Sequence, residues 1–156
     1  MQKPVAGIKS YLIVNLVLAG LIGLIFIYSG IYSATEDNYP IPSFFEGITG
    51  EVPPSAGMSR AFSEIVRGNL DAASAYNPDS LLIFAFFLVQ GIQRLTVSFL
   101  LVKGKRASGK PVARKQLTSM KYLLPADVLA SLILFLYCFR GQILAMVKLL
   151  MDHNQF

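Results

Sequence analysis

The chain has 156 residues, 54% of them hydrophobic and 15% charged, and a mean hydropathy of +0.54. A soluble domain is about 45–50% apolar and about 25% charged, so this balance is that of a membrane protein, and disordered, collagen-like and coiled-coil classes are excluded. The length allows one domain, and Cys138, the only cysteine, excludes an internal disulfide framework.

Ser10 to Thr35 is a run of 26 residues without a charge. A helix crossing a hydrocarbon core of about 30 Å needs about 20 apolar residues, which predicts a first span over residues 10–34. Lys3 and Lys9 precede it as in a secretory signal. The run is longer than the roughly 7–15 residues of a signal core, however, and Tyr32 stands where a cleavage site wants a small residue, so an uncleaved anchor is expected. Ala19, Gly20 and Gly23 form a small-residue patch that another helix can approach closely, and Asn15 can hydrogen-bond in the same contact.

Residues 36–79 hold seven acids against Arg60 and Arg67. The segment is too short for an independent core. It opens on a Pro- and Gly-punctuated stretch from Tyr39 to Gly57, which forbids a continuous helix and favours turns, with Phe44, Phe45 and Ile48 suited to a membrane surface. Met58, Phe62, Ile65 and Val66 then recur on one face of a short amphipathic helix, with Arg60, Ser63, Glu64 and Arg67 on the other. Arg60 and Glu64 are spaced to pair. Gly68 is a stop signal, Asn69 a cap for a second short helix through Tyr76 with Asp71 in its first turn, and Asn77-Pro78-Asp79 the start of the next span.

The second span is expected over residues 80–102. Gln90, Gln93, Arg94 and Ser98 fall at i, i+3, i+4 and i+8, a single polar stripe. Arg94 lies nine residues before Lys103, about 13 Å along a helix. An arginine at depth costs at least about 2.5–3.5 kcal/mol, so it must face protein, water or a phosphate group. Two readings stand: a polar cavity or lipid-headgroup site, or an arginine hydrogen-bonded to neighbouring helices, with Asp127 and Asn15 as partners.

Residues 103–121 carry seven basic residues and no acid. Positive loops stay in the cytoplasm, which puts this loop and the N-terminus inside and residues 36–79 and the C-terminus outside. The loop is expected to meet anionic lipid headgroups; without interleaved aromatics it gives no sign of nucleic-acid binding. A third span is expected over residues 122–145, with Pro125 at its first helical position and Asp127 in its first turn. Arg140, near its outer end, can reach an acid of a partner or Glu64. The apolar pattern outruns the bilayer, so a tilt, a bend at Gly141 or an outward projection is expected. Cys138 reads as a small buried hydrophobe, and the lone His153 as no metal ligand.

The run Thr49-Gly50-x-x-Pro53-Pro54-x-Ala56-Gly57-x-Ser59-Arg60-Ala61, then Arg67-Gly68-x-Leu70-x-x-Ala73 and Asn77-Pro78, resembles a family of small bacterial three-span membrane proteins classed as a domain of unknown function. Its signature is Thr-Gly-x-x-Cys-Pro-x-Cys-Gly-x-Thr-Arg-Ala, followed by Gly-x-Leu-x-x-Ala and Asn-Pro. The resemblance implies the three-span layout and a bacterial inner membrane. The signature cysteines fall on Pro53 and Ala56 here, and an earlier one near Ser43. Proline and alanine allow neither thiolate redox chemistry nor metal ligation.

The expected fold is therefore all-α integral membrane, a single domain over 1–156 with three transmembrane helices and one or two short amphipathic interfacial helices between the first two spans. No nucleophile elbow, Walker loop or metalloprotease motif occurs in the sequence, and no enzyme activity, metal or cofactor is expected. The favoured function is a non-catalytic accessory or assembly subunit that meets other integral-membrane subunits through its spans and residues 43–77. An oligomeric channel, or a small-ligand or lipid binder using the Gln90/Arg94 stripe, is the alternative. Candidate contacts to partner or lipid are Arg94, Gln90, Gln93, Ser98, Arg60, Phe62, Gly20, Gly23 and Arg140.

Overall fold

The computed structural model describes residues 3–34, 52–107 and 114–153, and these contain helices and turns but no strand. The helices are α1 (Lys3–Ile31), α2 (Met58–Val66), α3 (Leu70–Tyr76), α4 (Ser80–Ala107), α5 (Arg114–Cys138) and α6 (Arg140–His153). Two helical stretches, Lys9–Ile31 and Ser80–Lys103, are long and apolar enough to cross a membrane, and Leu124–Cys138 with Arg140–Met151 makes a third if the bent pair is one span. Such a set is consistent with a multi-pass membrane protein, since in lipid only a helix satisfies its own backbone. Residues 35–51, which include most of the punctuated stretch and Ser43, lie outside the described residues.

Several boundaries differ from expectation. The helix of the first span begins at Lys3 instead of residue 10, with Pro4 in the first turn, where a missing N–H matters little. The basic loop is narrower than 103–121. Residues 103–107 close α4, and α5 already begins at Arg114, because lysine and arginine are good helix formers. Pro125 consequently lies inside α5 and not at its first position. It removes one backbone bond, a loss that spanning helices tolerate. Asp127 is therefore not a first-turn residue, and the helix dipole does not account for it.

The expected third span 122–145 is not one helix. It breaks at Phe139, two residues before the bend expected at Gly141, and the two parts are bent by 64°. Phe139 N still donates to Phe135 O (2.9 Å) and Ile143 N to Phe139 O (2.9 Å), so the backbone stays bonded through the bend.

The chain forms two compact units, one of Met1–Gly23 with Phe87–Leu134, the other of Leu24–Phe86 with Phe135–Phe156. In the second, α2 and α3 pack together. Phe62 is buried, with its ring edge-on to Phe84 at 5.2 Å, and Phe84 lies 5.1 Å from Phe26. Edge-to-face pairs of this kind add about 0.5–1.5 kcal/mol to the burial of the rings. Phe135 stacks on Phe139 at 4.6 Å, and Phe86 meets Phe139 edge-on at 5.3 Å.

Helix α2 ends as its sequence predicts. Gly68 has φ +85, Gly68 N donates to Ile65 O (3.0 Å) and Asn69 N to Glu64 O (2.9 Å), which together make a Schellman motif. Two expectations fail beside it. Ser63 and Glu64 are buried, not solvated, since α3 folds back over them. The Asn69 side chain does not cap α3; its amide donates to Glu64 Oε2 at 2.8 Å.

Within this unit Arg67, at the end of α2, reaches the end of α1. Its guanidinium donates to Ser29 O (3.3 Å) and Gly30 O (3.4 Å), so a cation sits on carbonyls that a helix C-terminus leaves unbonded. Asn77 is the second tie. Its amide donates to Pro54 O (3.0 Å) and Ala56 O (2.9 Å) while its Oδ1 accepts from Asp79 N (3.0 Å). One buried side chain thus caps the start of α4 and holds the 53–58 turns against it.

Candidate functional site

The polar stripe of α4 closes on itself inside the first unit. Asn15 on α1, Arg94 on α4 and Asp127 on α5 lie six residues past Lys9, nine before Lys103 and six past Lys121. That is about 9–13 Å of helix from a flanking lysine in each case. Arg94 is 8% exposed and Asn15 fully buried. Arg94 Nη1 donates to Asp127 Oδ2 at 2.5 Å and to Asn15 Oδ1 at 3.1 Å, and Nη2 donates to Ser131 Oγ at 2.8 Å and Gln90 Oε1 at 3.1 Å. The two partners to which the sequence points, Asp127 and Asn15, are both engaged.

Asp127 is held as fully as the arginine. Its carboxylate also accepts from Tyr11 Oη (2.9 Å) and from Gln93 Nε2. Ser131 Oγ donates to Gln90 Oε1 (3.4 Å), Gln90 Nε2 to Gln93 Oε1 (3.5 Å), and Asn15 Nδ2 to Tyr11 O (2.8 Å). Two opposite charges therefore neutralise each other, and each is surrounded by hydrogen-bonding groups, the condition under which a buried ion pair is tolerated. Tyr11 and Ser131 are members that the stripe alone does not reveal. Their signal is spacing: Tyr11 is four residues from Asn15 and Ser131 four from Asp127, on the same helix faces.

Ser98, the last residue of the stripe, is 5% exposed, and its Oγ has no partner among the described residues. Glu64 Oε1, in the other unit, shares that condition.

The remaining candidate contacts separate into two groups. Phe62 is buried against Phe84, so it presents nothing outward. Arg140 is exposed and stacks over Tyr137, 4.6 Å from the ring centroid, with Nη1 on Tyr137 O at 3.4 Å; the expected acid Glu64 is engaged with Asn69 instead. Arg60 is exposed on α2. At Gly20 and Gly23 an added Cβ would meet no described atom within 4 Å. The close approach expected there is made at Gly91, whose Cβ would stand 3.3 Å from Ile22 Cγ2. The described chain leaves the small-residue patch unused.

Among the described residues no three His, Cys, Asp or Glu side chains come together to hold a metal. Comparison with protein-family models, with curated proteins and with solved structures finds no match to this chain.

Proposed function

We propose that this chain is a non-catalytic accessory or assembly subunit of a larger membrane complex in a bacterial inner membrane. It would cross the bilayer three times, with the N-terminus and the basic residues of 103–121 in the cytoplasm and α2 and α3 on the outer surface. Orientation rests on the charge asymmetry between 103–121 and 36–79. The family layout rests on the resemblance carried by Gly57, Arg67, Gly68 and Asn77.

The observation that carries the proposal is the inward closure of the stripe. Arg94, the deep cation of α4, has its guanidinium bonded to Asn15, Gln90, Asp127 and Ser131. A pore lining or a headgroup site needs such donors free, and a general acid or base needs a carboxylate that faces a substrate. Here the charges join helices. The surfaces left for recognition are the Gly20/Gly23 patch, which a partner helix can approach closely, and the exposed side of α2 around Ser59, Arg60 and Val66.

Photo-crosslinking side chains placed at Ser59 and at Val66 in native membranes test this surface. One discrete membrane-protein adduct common to both positions is expected. Adducts to lipid only, or none, would overturn the docking role.

A further inference from the structure

We propose that α6 is a membrane-surface helix that lies in the leaflet opposite the basic loop, its bare apolar face in the acyl chains and its other face against its own unit. The first observation is length. The apolar run of the sequence begins at Tyr122, and the 17 residues from there to Cys138, the last of α5, rise about 25 Å, just short of a hydrocarbon core of about 30 Å. A straight continuation through Met151 would reach about 45 Å and overshoot. Bent by 64°, the same residues advance only about 8 Å along the axis of α5. That brings the chain to the far boundary of the core, within the depth of about 5–10 Å at which amphipathic helices settle.

The second observation is that α6 has two unlike faces. On one, Gln142 Nε2 donates to Asp79 Oδ2 at 3.0 Å, Gly141 is pressed so closely on Asp79 that a Cβ would stand 2.7 Å from its Cγ, and Ala145, Lys148 and Leu149 line a shallow groove with Val52 and Pro54. On the other, Ile143, Leu144, Val147, Leu150 and Met151 are 37–68% exposed, in an arc about 120° wide, the width of a face meant for burial.

The third observation is the composition of the margin. Tyr137 with Arg140 stacked over it stands at the bend, and Lys148 flanks the bare face. Tyrosine and basic side chains with apolar stems are the residues that sit at headgroup level. A lipid surface therefore fits the face better than a partner helix, which would leave these groups without the boundary they match.

Nitroxide labels on single cysteines in the full chain, reconstituted in vesicles of phosphatidylethanolamine and phosphatidylglycerol, test the proposal. Labels go at Leu144, Val147 and Met151, with Lys148 as the flank. Each is introduced both with the native Cys138, which is buried, and with Cys138→Ala, so that a folding defect of one background does not decide the result. Collision with oxygen is expected to exceed collision with a water-soluble nickel complex several-fold at the three apolar positions. Those three should lie within about 5 Å of one depth, the advance that seven residues make at this bend, and the ratio should reverse at Lys148. A depth change of about 10 Å from Leu144 to Met151, the full rise of seven residues, would mean a crossing helix and overturn the proposal. Labels immobilised and shielded from both reagents would mean a protein partner, and equal access to the nickel complex everywhere would mean a helix in water; either result also overturns it.

Discussion

Arg94 and Asp127 are each only 9% exposed by side chain, so either one alone would be a buried charge without its counterion. Arg94→Leu is expected to destabilise the folded chain by about 3–5 kcal/mol, while Arg94→Leu combined with Asp127→Leu recovers most of the loss, because the desolvation penalty disappears with the pair. Unfolding in mixed micelles followed by circular dichroism measures both. Equal losses for the single and double variants would show that the pair acts through something other than charge. Two glycines make a similar comparison on the backbone. Gly57 and Gly68 have φ of 75° and 85°, so alanine at either costs about 1–2 kcal/mol in backbone strain. At Gly68 nothing lies within 4 Å of the added Cβ, whereas at Gly57 it would stand 2.5 Å from Tyr76 O. Gly57→Ala is expected to be clearly the more damaging in the same unfolding measurement.

At the scale of elements, the bend between α5 and α6 rests on Asp79 at the start of α4. Gly141→Ala must push the Asp79 carboxylate away and break its bond to Gln142. It should lower stability, and Asp79→Ala in the same chain should remove much of the penalty, a coupling that a double-mutant cycle reads directly. Asn77→Ala would leave Pro54 O and Ala56 O without their donor and is expected to cost about 1–3 kcal/mol. Limited proteolysis should then cut near residues 52–58 first.

These elements also separate what the sequence made legible from what it did not. Gly68 as a stop, Asn77 as a cap and the Arg94 partnership with Asp127 and Asn15 follow from rules that act within a few residues or from the cost of an unpaired charge in lipid. The continuation of α5 through Pro125 does not, because hydropathy reports apolar length and not where a helix starts; the bend expected at Gly141 from the excess of apolar length falls two residues earlier, at Phe139. The burial of Ser63 and Glu64 depended on α3 folding back over α2, a tertiary contact that no helical wheel contains. Ser131 and Tyr11 were within reach of an i, i+4 reading extended from the two residues already singled out.

For the whole molecule, two or three helices fit to cross a membrane, a first unit whose charges pair across three helices and a second unit tied together by Arg67 and Asn77 describe a protein built to hold a shape. The outward surfaces differ from this interior. They are apolar along the helices, small at Gly20 and Gly23, and polar on α2, with the acids of 36–79 and the bases of 103–121 at opposite ends of the spans under the proposed topology. Recognition by other membrane proteins is the role such surfaces suit, and migration of the native species in blue-native electrophoresis of mildly solubilised membranes tests it most directly. The chain is expected in a discrete band well above the size of its 17.1 kDa monomer, together with other membrane subunits identified by mass spectrometry of that band. A species that runs only at the size of the monomer or of a simple homo-oligomer would contradict the proposed role.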